Sequence, residues 1–286
     1  MKELVVLSGK GGTGKTSIVG SFAALADNKI MADCDVDAAD LHLLLNPKTI
    51  EENEFWSGHI AEINKFKCTH CGLCSELCRF DAIQRRKVDT FSCEGCAFCY
   101  QICPADAITM RRNMCGKWYV SKTRYGMLVH AKLGIAQENS GKLVSVVRQK
   151  SREIAREQNL EYILTDGPPG IGCPVISSLS GASEVLIVTE PTISGLNDMD
   201  RILVLCEHFN IEALVCVNKY DINEENTENI TRYCKDRKVT IAGFIPYDDI
   251  ITEAMIHGKP VVKYKWNDTA RSIENLWETL LETIAG

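Results

Sequence analysis

A short apolar run, Leu4-Val5-Val6-Leu7, leads directly into Ser8-Gly9-Lys10-Gly11-Gly12-Thr13-Gly14-Lys15-Thr16, and from Ser17 to Ala26 the patterning turns helical. Nothing else in the chain restricts the fold as much. A strand, a glycine-rich loop and a helix in that order satisfy the Gly-x4-Gly-Lys-Thr pattern of a phosphate-binding loop in its required context. The glycines let successive backbone N–H groups curl around phosphates, and the helix N-terminus adds positive potential. Lys15 reaches the terminal phosphates and Thr16 holds magnesium. The candidate cradle comprises Gly9, Lys10, Gly11, Gly12, Thr13, Gly14, Lys15, Thr16 and Ser17.

Strand and helix signals alternate along much of the chain. A second strand is expected at Ile30 to Ala32, then Asp33-Cys34-Asp35-Val36-Asp37 and a leucine-rich helix from Ala38 to Leu45. After the middle come helices at Ser145 to Glu157, Asp198 to Phe209, Glu225 to Lys235 and Ala270 to Ile284. Strands are expected at Tyr162 to Thr165, Val185 to Val188, Ala213 to Val217 and Val239 to Phe244. Such alternation implies an α/β fold, a mostly parallel sheet with helices on both faces. Trp118 to Leu133 reads as a hairpin. Asp166 ends a strand, where it fits an acid acting through magnesium. Asp35 follows another, at the carboxyl edge of the sheet and near the phosphate loop. Asn218-Lys219-Tyr220-Asp221 leaves the base open, because Asn-Lys-x-Asp at a strand end is also how many GTPases read guanine.

Eight of the 14 cysteines fall between Cys68 and Cys103, where the apolar periodicity lapses. They form a repeat offset by 25 residues: Cys68-x2-Cys71-x2-Cys74-x3-Cys78-x2-Asp81-Ala82-Ile83, then Cys93-x2-Cys96-x2-Cys99-x3-Cys103-x2-Asp106-Ala107-Ile108. Residues 57–112 are therefore expected as a small inserted α+β domain, with 1–56 and 113–286 forming the nucleotide-binding domain. The chain shows no secretory pattern, so the thiols read as metal ligands in a reducing cytoplasm, not as disulfides. Two interlocked runs are hard to explain with tetrahedral zinc. A net charge of −6 gives no general footprint for nucleic acid or an anionic membrane, and no apolar run is long enough to span a bilayer.

The second loop lysine, Lys10, makes the chain resemble the deviant-Walker ATPases, the MinD/ParA-like group that includes division-site and partition ATPases and the nitrogenase iron protein. The resemblance implies a nucleotide-dependent dimer, a homodimer or a heterodimer with a paralogue, in which Lys10 reaches the partner's phosphates. It makes Lys10, Lys15 and Asp35 catalytic, with Asp35 orienting the attacking water. It assigns magnesium to Thr16, Asp35 and Asp166, makes Gly167-Pro168-Pro169-Gly170 a switch, and favours ATP over GTP with Asn218 and Pro246 near the base. The cysteine runs resemble a bacterial two-cluster ferredoxin, in which the fourth cysteine of one run serves the other cluster. That implies one 4Fe-4S cluster on Cys68, Cys71, Cys74 and Cys103, and a second on Cys93, Cys96, Cys99 and Cys78. The expected activity is ATP hydrolysis coupled to electron transfer toward a metal-cluster protein. An assembly or carrier ATPase, or a redox-sensing positioning ATPase, are the alternatives. Cys34, Cys173, Cys206 and Cys216 are expected to pack as small hydrophobes.

Overall fold

The computed structural model describes residues 1–134 and 140–285. In chain order the elements are β1 (Lys2–Ser8), α1 (Lys15–Leu25), β2 (Lys29–Asp33), α2 (Leu41–Leu45), β3 (Lys48–Ile63), α3 (Leu73–Glu76), β4 (Ile83–Gln84), β5 (Lys87–Val88), α4 (Phe98–Gln101), β6 (Ile108–Thr123) and β7 (Gly126–Leu133). They continue with α5 (Ser140–Glu157), β8 (Tyr162–Pro169), α6 (Cys173–Leu179), β9 (Glu184–Thr189), α7 (Ile193–Phe209), β10 (Glu212–Asn218), α8 (Glu224–Asp236), β11 (Thr240–Ile245), α9 (Ile250–Ile256), α10 (Val261–Tyr264) and α11 (Asp268–Ala285). The described residues divide into two compact units, one of residues 1–52, 118–132 and 140–285, the other of residues 53–117 and 133–134.

The larger unit is built on a sheet of strand order β11-β10-β9-β1-β8-β2-β7-β6-β3. From β11 through β7 every neighbouring pair runs parallel. Alternation along β1 shows why its sequence reads as an unbroken apolar run. Leu4 and Val6 enter a core shared with Phe22 of α1 and Trp277 of α11, while Val5 and Leu7 enter a second core with Val175 of α6 and Ile202 of α7. Both faces of a parallel strand are buried, so both sets of side chains must be apolar. These seven parallel strands end at one edge of the sheet, where polar terminal residues collect.

One expectation is corrected, and one strand has no counterpart in the sequence reading. The helix expected from Ala38 shortens to Leu41–Leu45. Asp33 accepts hydrogen bonds from the backbone N–H groups of Asp35 (3.2 Å) and Leu41 (3.3 Å), holding the intervening residues as a turn. Strand β3 carries no apolar alternation at its start, because it ends the sheet order and its first five residues are exposed, so residues 48–52 give no strand signal in the sequence. The hairpin is present as β6 and β7 joined by Arg124 and Tyr125, and β7 pairs parallel to β2. Of the polar stretch Glu138 to Leu143, Glu138 and Asn139 lie outside the described residues.

The smaller unit carries the sequence repeat into its backbone. Helices α3 and α4 begin 25 residues apart, at Leu73 and Phe98. Left-handed residues recur at the same offset: His70 and Gly95, Gly72 and Ala97, Asp81 and Asp106. The turns after each fourth cysteine close alike, Asp81 N–H to Cys78 O and Asp106 N–H to Cys103 O, both at 3.2 Å. Gly95 is held to glycine twice over: its φ is +65°, and a Cβ would stand 2.1 Å from the carbonyl oxygen of His59.

Candidate nucleotide site and cysteine cavities

The phosphate loop leaves β1 and enters α1 through two left-handed glycines, Gly12 (φ 82°) and Gly14 (φ 88°). Its shape is locked from outside. Asn218, buried at the end of β10, donates its side-chain N–H to Thr13 O at 2.7 Å, and the N–H of Gly170 is bonded to Ser8 O at 2.9 Å. A Cβ on Gly9 would lie 2.0 Å from Cβ of Asp198, so α7 sets the loop's first turn. Nothing lies within 4 Å of a Cβ built on Gly11 or Gly12, and these residues open onto a cavity of about 370 Å³. Thr16, Ser17, Asp35 and Tyr247 also line it.

Lys15 is buried, with its ammonium 2.5 Å from Asp166 Oδ1 and 3.8 Å from Asp35 Oδ2. Burial pulls its pKa down, but the carboxylates of Asp166 and Asp35 outweigh that and the net shift is upward. Asp35 is pushed up to about 6, chiefly by burial, against the pull of Lys15. Asp33, the register partner of Asp166 across β2 and β8, is raised well above the carboxylate range by burial and by Asp166. Asp166 Oδ2 and Thr13 Oγ1 are buried without a hydrogen-bond partner. A hydrated cation beside Asp166 would satisfy the first, so the donor set fits magnesium.

Lys10 has a partner within its own chain: its ammonium is 2.6 Å from Glu190 Oε1. Glu190 Oε2 holds Lys219 at 3.1 Å, and Lys219 also donates to Gly12 O at 3.2 Å. Burial would raise the Glu190 carboxyl, yet hydrogen bonds from the two lysines bring it below its usual value. Asp221 accepts from the backbone N–H of Tyr247 at 2.7 Å. Pro246 lines a groove with Tyr220 and Phe244, and its neighbour Tyr247 lines the phosphate-loop cavity. One further expectation needs correcting. Cys173 is exposed, while Cys34, Cys206 and Cys216 are buried as expected. Sequence reasoning left Glu190 and Asp198 without roles. Glu190 was findable, since it directly follows a strand that ends at the phosphate-loop edge.

In the smaller unit, Cys68, Cys71, Cys74 and Cys103 line one cavity of about 430 Å³. Cys78, Cys93, Cys96 and Cys99 line another of about 370 Å³, to which Cys74 also contributes. Burial raises the Cys74 thiol, and the negative charge of Cys68, Cys71 and Cys103 raises it further. Cys99 is raised in the same way by burial and by Cys93. The backbone N–H of Ala107 already points at Cys103 Sγ, at 3.3 Å. Among the described residues no three His, Cys, Asp or Glu side chains converge on a point that one metal ion would occupy.

A match to the CobQ/CobB/MinD/ParA nucleotide-binding domain family spans residues 4–261. The chain belongs to this family. It is 34% identical over 285 residues to an uncharacterised protein of Methanocaldococcus jannaschii, a match covering 99% of this chain and 97% of the relative. It is 28% identical to the septum site-determining protein MinD of Bacillus subtilis over 130 residues, 44% of this chain and 48% of that one. Among solved structures it is similar to MinD of Pyrococcus horikoshii complexed with Mg-ADP, with a TM-score of 0.62 and 19% identity, covering 100% of this chain and 97% of the other. That last likeness is one of fold.

Proposed function

We propose that this chain is a P-loop ATPase whose nucleotide cycle governs electron transfer through two 4Fe-4S clusters to a metal-cluster protein. The observation that carries the reading is the sorting of eight cysteines between two cavities, with Cys74 shared by both, in a chain whose larger unit is a nucleotide-binding fold. The cysteines line the cavities instead of closing on one point, which is what a group wider than a single ion asks of its ligands. When bound, each cluster supplies one-electron chemistry. Residues 57–112 form the cluster-binding insert in this reading.

At the nucleotide site, the N–H groups of Gly11 to Thr16 hold the phosphates of ATP or ADP, and Lys15 transfers its ammonium from Asp166 to the terminal phosphate. Thr16, Asp166 and Asp35 hold Mg²⁺ and its water shell, and Asp35 orients the attacking water. Asn218 acts by fixing the phosphate loop at Thr13. Glu190 holds Lys10 until a nucleotide-dependent dimer, of two copies or with a paralogue, offers it the partner's phosphates. The test is anaerobic iron loading followed by EPR-monitored titration with no nucleotide, Mg-ADP or a Mg-ATP analogue. A nucleotide-dependent shift in potential, absent in K15A, supports the reading. Cluster-loaded protein with unchanged potentials overturns the coupling.

The MinD relatives favour a second reading, a positioning ATPase that uses the clusters to sense redox state. ATP-dependent sedimentation with a surface or filament, altered by cluster oxidation, would select it.

A further inference from the structure

The smaller unit differs from the rest of the chain in charge. Residues 53–117 hold nine lysines and arginines against seven acids, in a protein with 32 against 38 overall. The excess is concentrated beside the first cysteine cavity. Gln84-Arg85-Arg86-Lys87 forms the tip of the β4–β5 hairpin, and both arginines line that cavity together with the four cysteines and no carboxylate. The second cavity has one cation, Arg79, against Glu94, and an apolar lining that includes Phe80 and Phe98.

The hairpin has an unusual backbone. Its two-residue loop puts Arg85 at φ 44° and Arg86 at φ 62°, the two left-handed positions of a type I′ turn. Asn-Gly is the unstrained choice there, and an arginine is disfavoured at each position by its Cβ. The repeat isolates the feature. The equivalent stretch of the second half lies within β6 and makes no hairpin, so the strained basic tip belongs to the first half alone. Strain kept in place by surrounding structure is a mark of a functional position. A second basic element precedes the first ligand of the same cavity: Phe66 is 102% exposed between Lys65 and Lys67, in a loop pinned by Asn64 Oδ1 accepting from the N–H groups of Phe66 (2.9 Å) and Lys67 (3.3 Å). Among the described residues none of these five cations is ion-paired to a carboxylate.

We infer that the Arg85-Arg86-Lys87 tip, with Lys65 and Lys67, is the docking surface for an acidic electron-carrier protein, and that the first cysteine site is where electrons are exchanged with it. The role of the cysteine site rests on the cluster reading above; the docking surface does not. Unpaired cations, two of them in the lining of one cavity and the others next to lining residues in sequence, steer an acidic partner to that cavity and give the encounter a strong salt dependence. The exposed Phe66 supplies an apolar contact at the centre of the basic loop.

The experiment uses the full chain, loaded with iron anaerobically, and an acidic flavodoxin as probe, titrated calorimetrically at several salt concentrations, with a basic cytochrome c for comparison. The informative variant is R85N/R86G, which removes both charges while installing the residues a type I′ turn prefers, so it keeps or improves the hairpin. Binding of flavodoxin that weakens with salt, is about tenfold weaker in R85N/R86G, and is nearly unchanged in R111Q/R112Q supports the inference. Equal affinity in wild type and R85N/R86G, or cytochrome c binding as tightly as flavodoxin, overturns it. A chain that takes up no iron defeats the cluster reading, while the flavodoxin titration still decides the docking surface.

Discussion

Glu184 opens β9 and stands in register with Leu4 on one side and Glu212 on the other. It is 4% exposed, its Oε2 lacks a partner, and burial together with Glu212 pushes its pKa up to about 7. The folded chain therefore holds the Glu184 proton more tightly than the unfolded chain. Stability falls as pH rises through the interval between the ordinary glutamate value and about 7, and the full penalty remains above it. E184Q should stabilise the protein at pH 8 by on the order of 2 kcal/mol and have almost no effect at pH 4, read by urea denaturation at both pH values. Asp35 has a comparable burden, pushed up by burial to about 6. If it orients water as a carboxylate, kcat/KM for ATP hydrolysis falls as pH drops through about 6, and the residual rate of D35N shows no inflection there.

At the scale of elements, one buried cluster of ions ties three together. Arg148 of α5 donates from Nε to Glu3 Oε1 on β1 at 2.7 Å, and from Nη1 to the carbonyls of Ser177 and Ser180 at the C-terminal end of α6. Arg152, one turn later, donates to Glu3 Oε2 at 2.7 Å but is about a third exposed. Removing one partner of a buried pair strands the other in low dielectric. R148M should lower unfolding stability by about 3 kcal/mol, and R152M, whose charge is screened by water, by about 1 kcal/mol or less. Circular dichroism during urea denaturation separates the two. The cluster lies at the amino end of β1, opposite the phosphate-loop edge, so Mg-ADP affinity in R148M should stay close to wild type.

For the whole molecule, the two cysteine cavities make a claim about stoichiometry. Cys71 lines the first cavity only and Cys96 the second only. If each cavity holds one four-iron cluster, the wild type carries about eight irons per chain, and C71S and C96S each about four. Loss of all iron in either variant would mean that the cavities are not independent sites. Among the described residues no helix is long and apolar enough to cross a membrane.

Much of this protein was legible in the order of its residues. The phosphate loop, the acids Asp35 and Asp166 after short apolar runs and the 25-residue cysteine repeat are local patterns, each fixed by spacing along one stretch of chain. Sheet formation brought the predicted Lys15, Asp35 and Asp166 together because parallel strands bury both faces and must end at a common edge. The tertiary structure alone gave Glu190 its two lysines, set Asp198 against Gly9 and turned Asn218 toward Thr13. These contacts join residues far apart in sequence, and no periodicity records them. The Arg85-Arg86 turn is the opposite case: the residues are adjacent, yet their left-handed backbone runs against local preference and is imposed by the pairing of β4 with β5. Sequence determines what a segment prefers, whereas packing decides which preferences are overruled, because only the assembled sheet and repeat bring distant groups close enough to compensate.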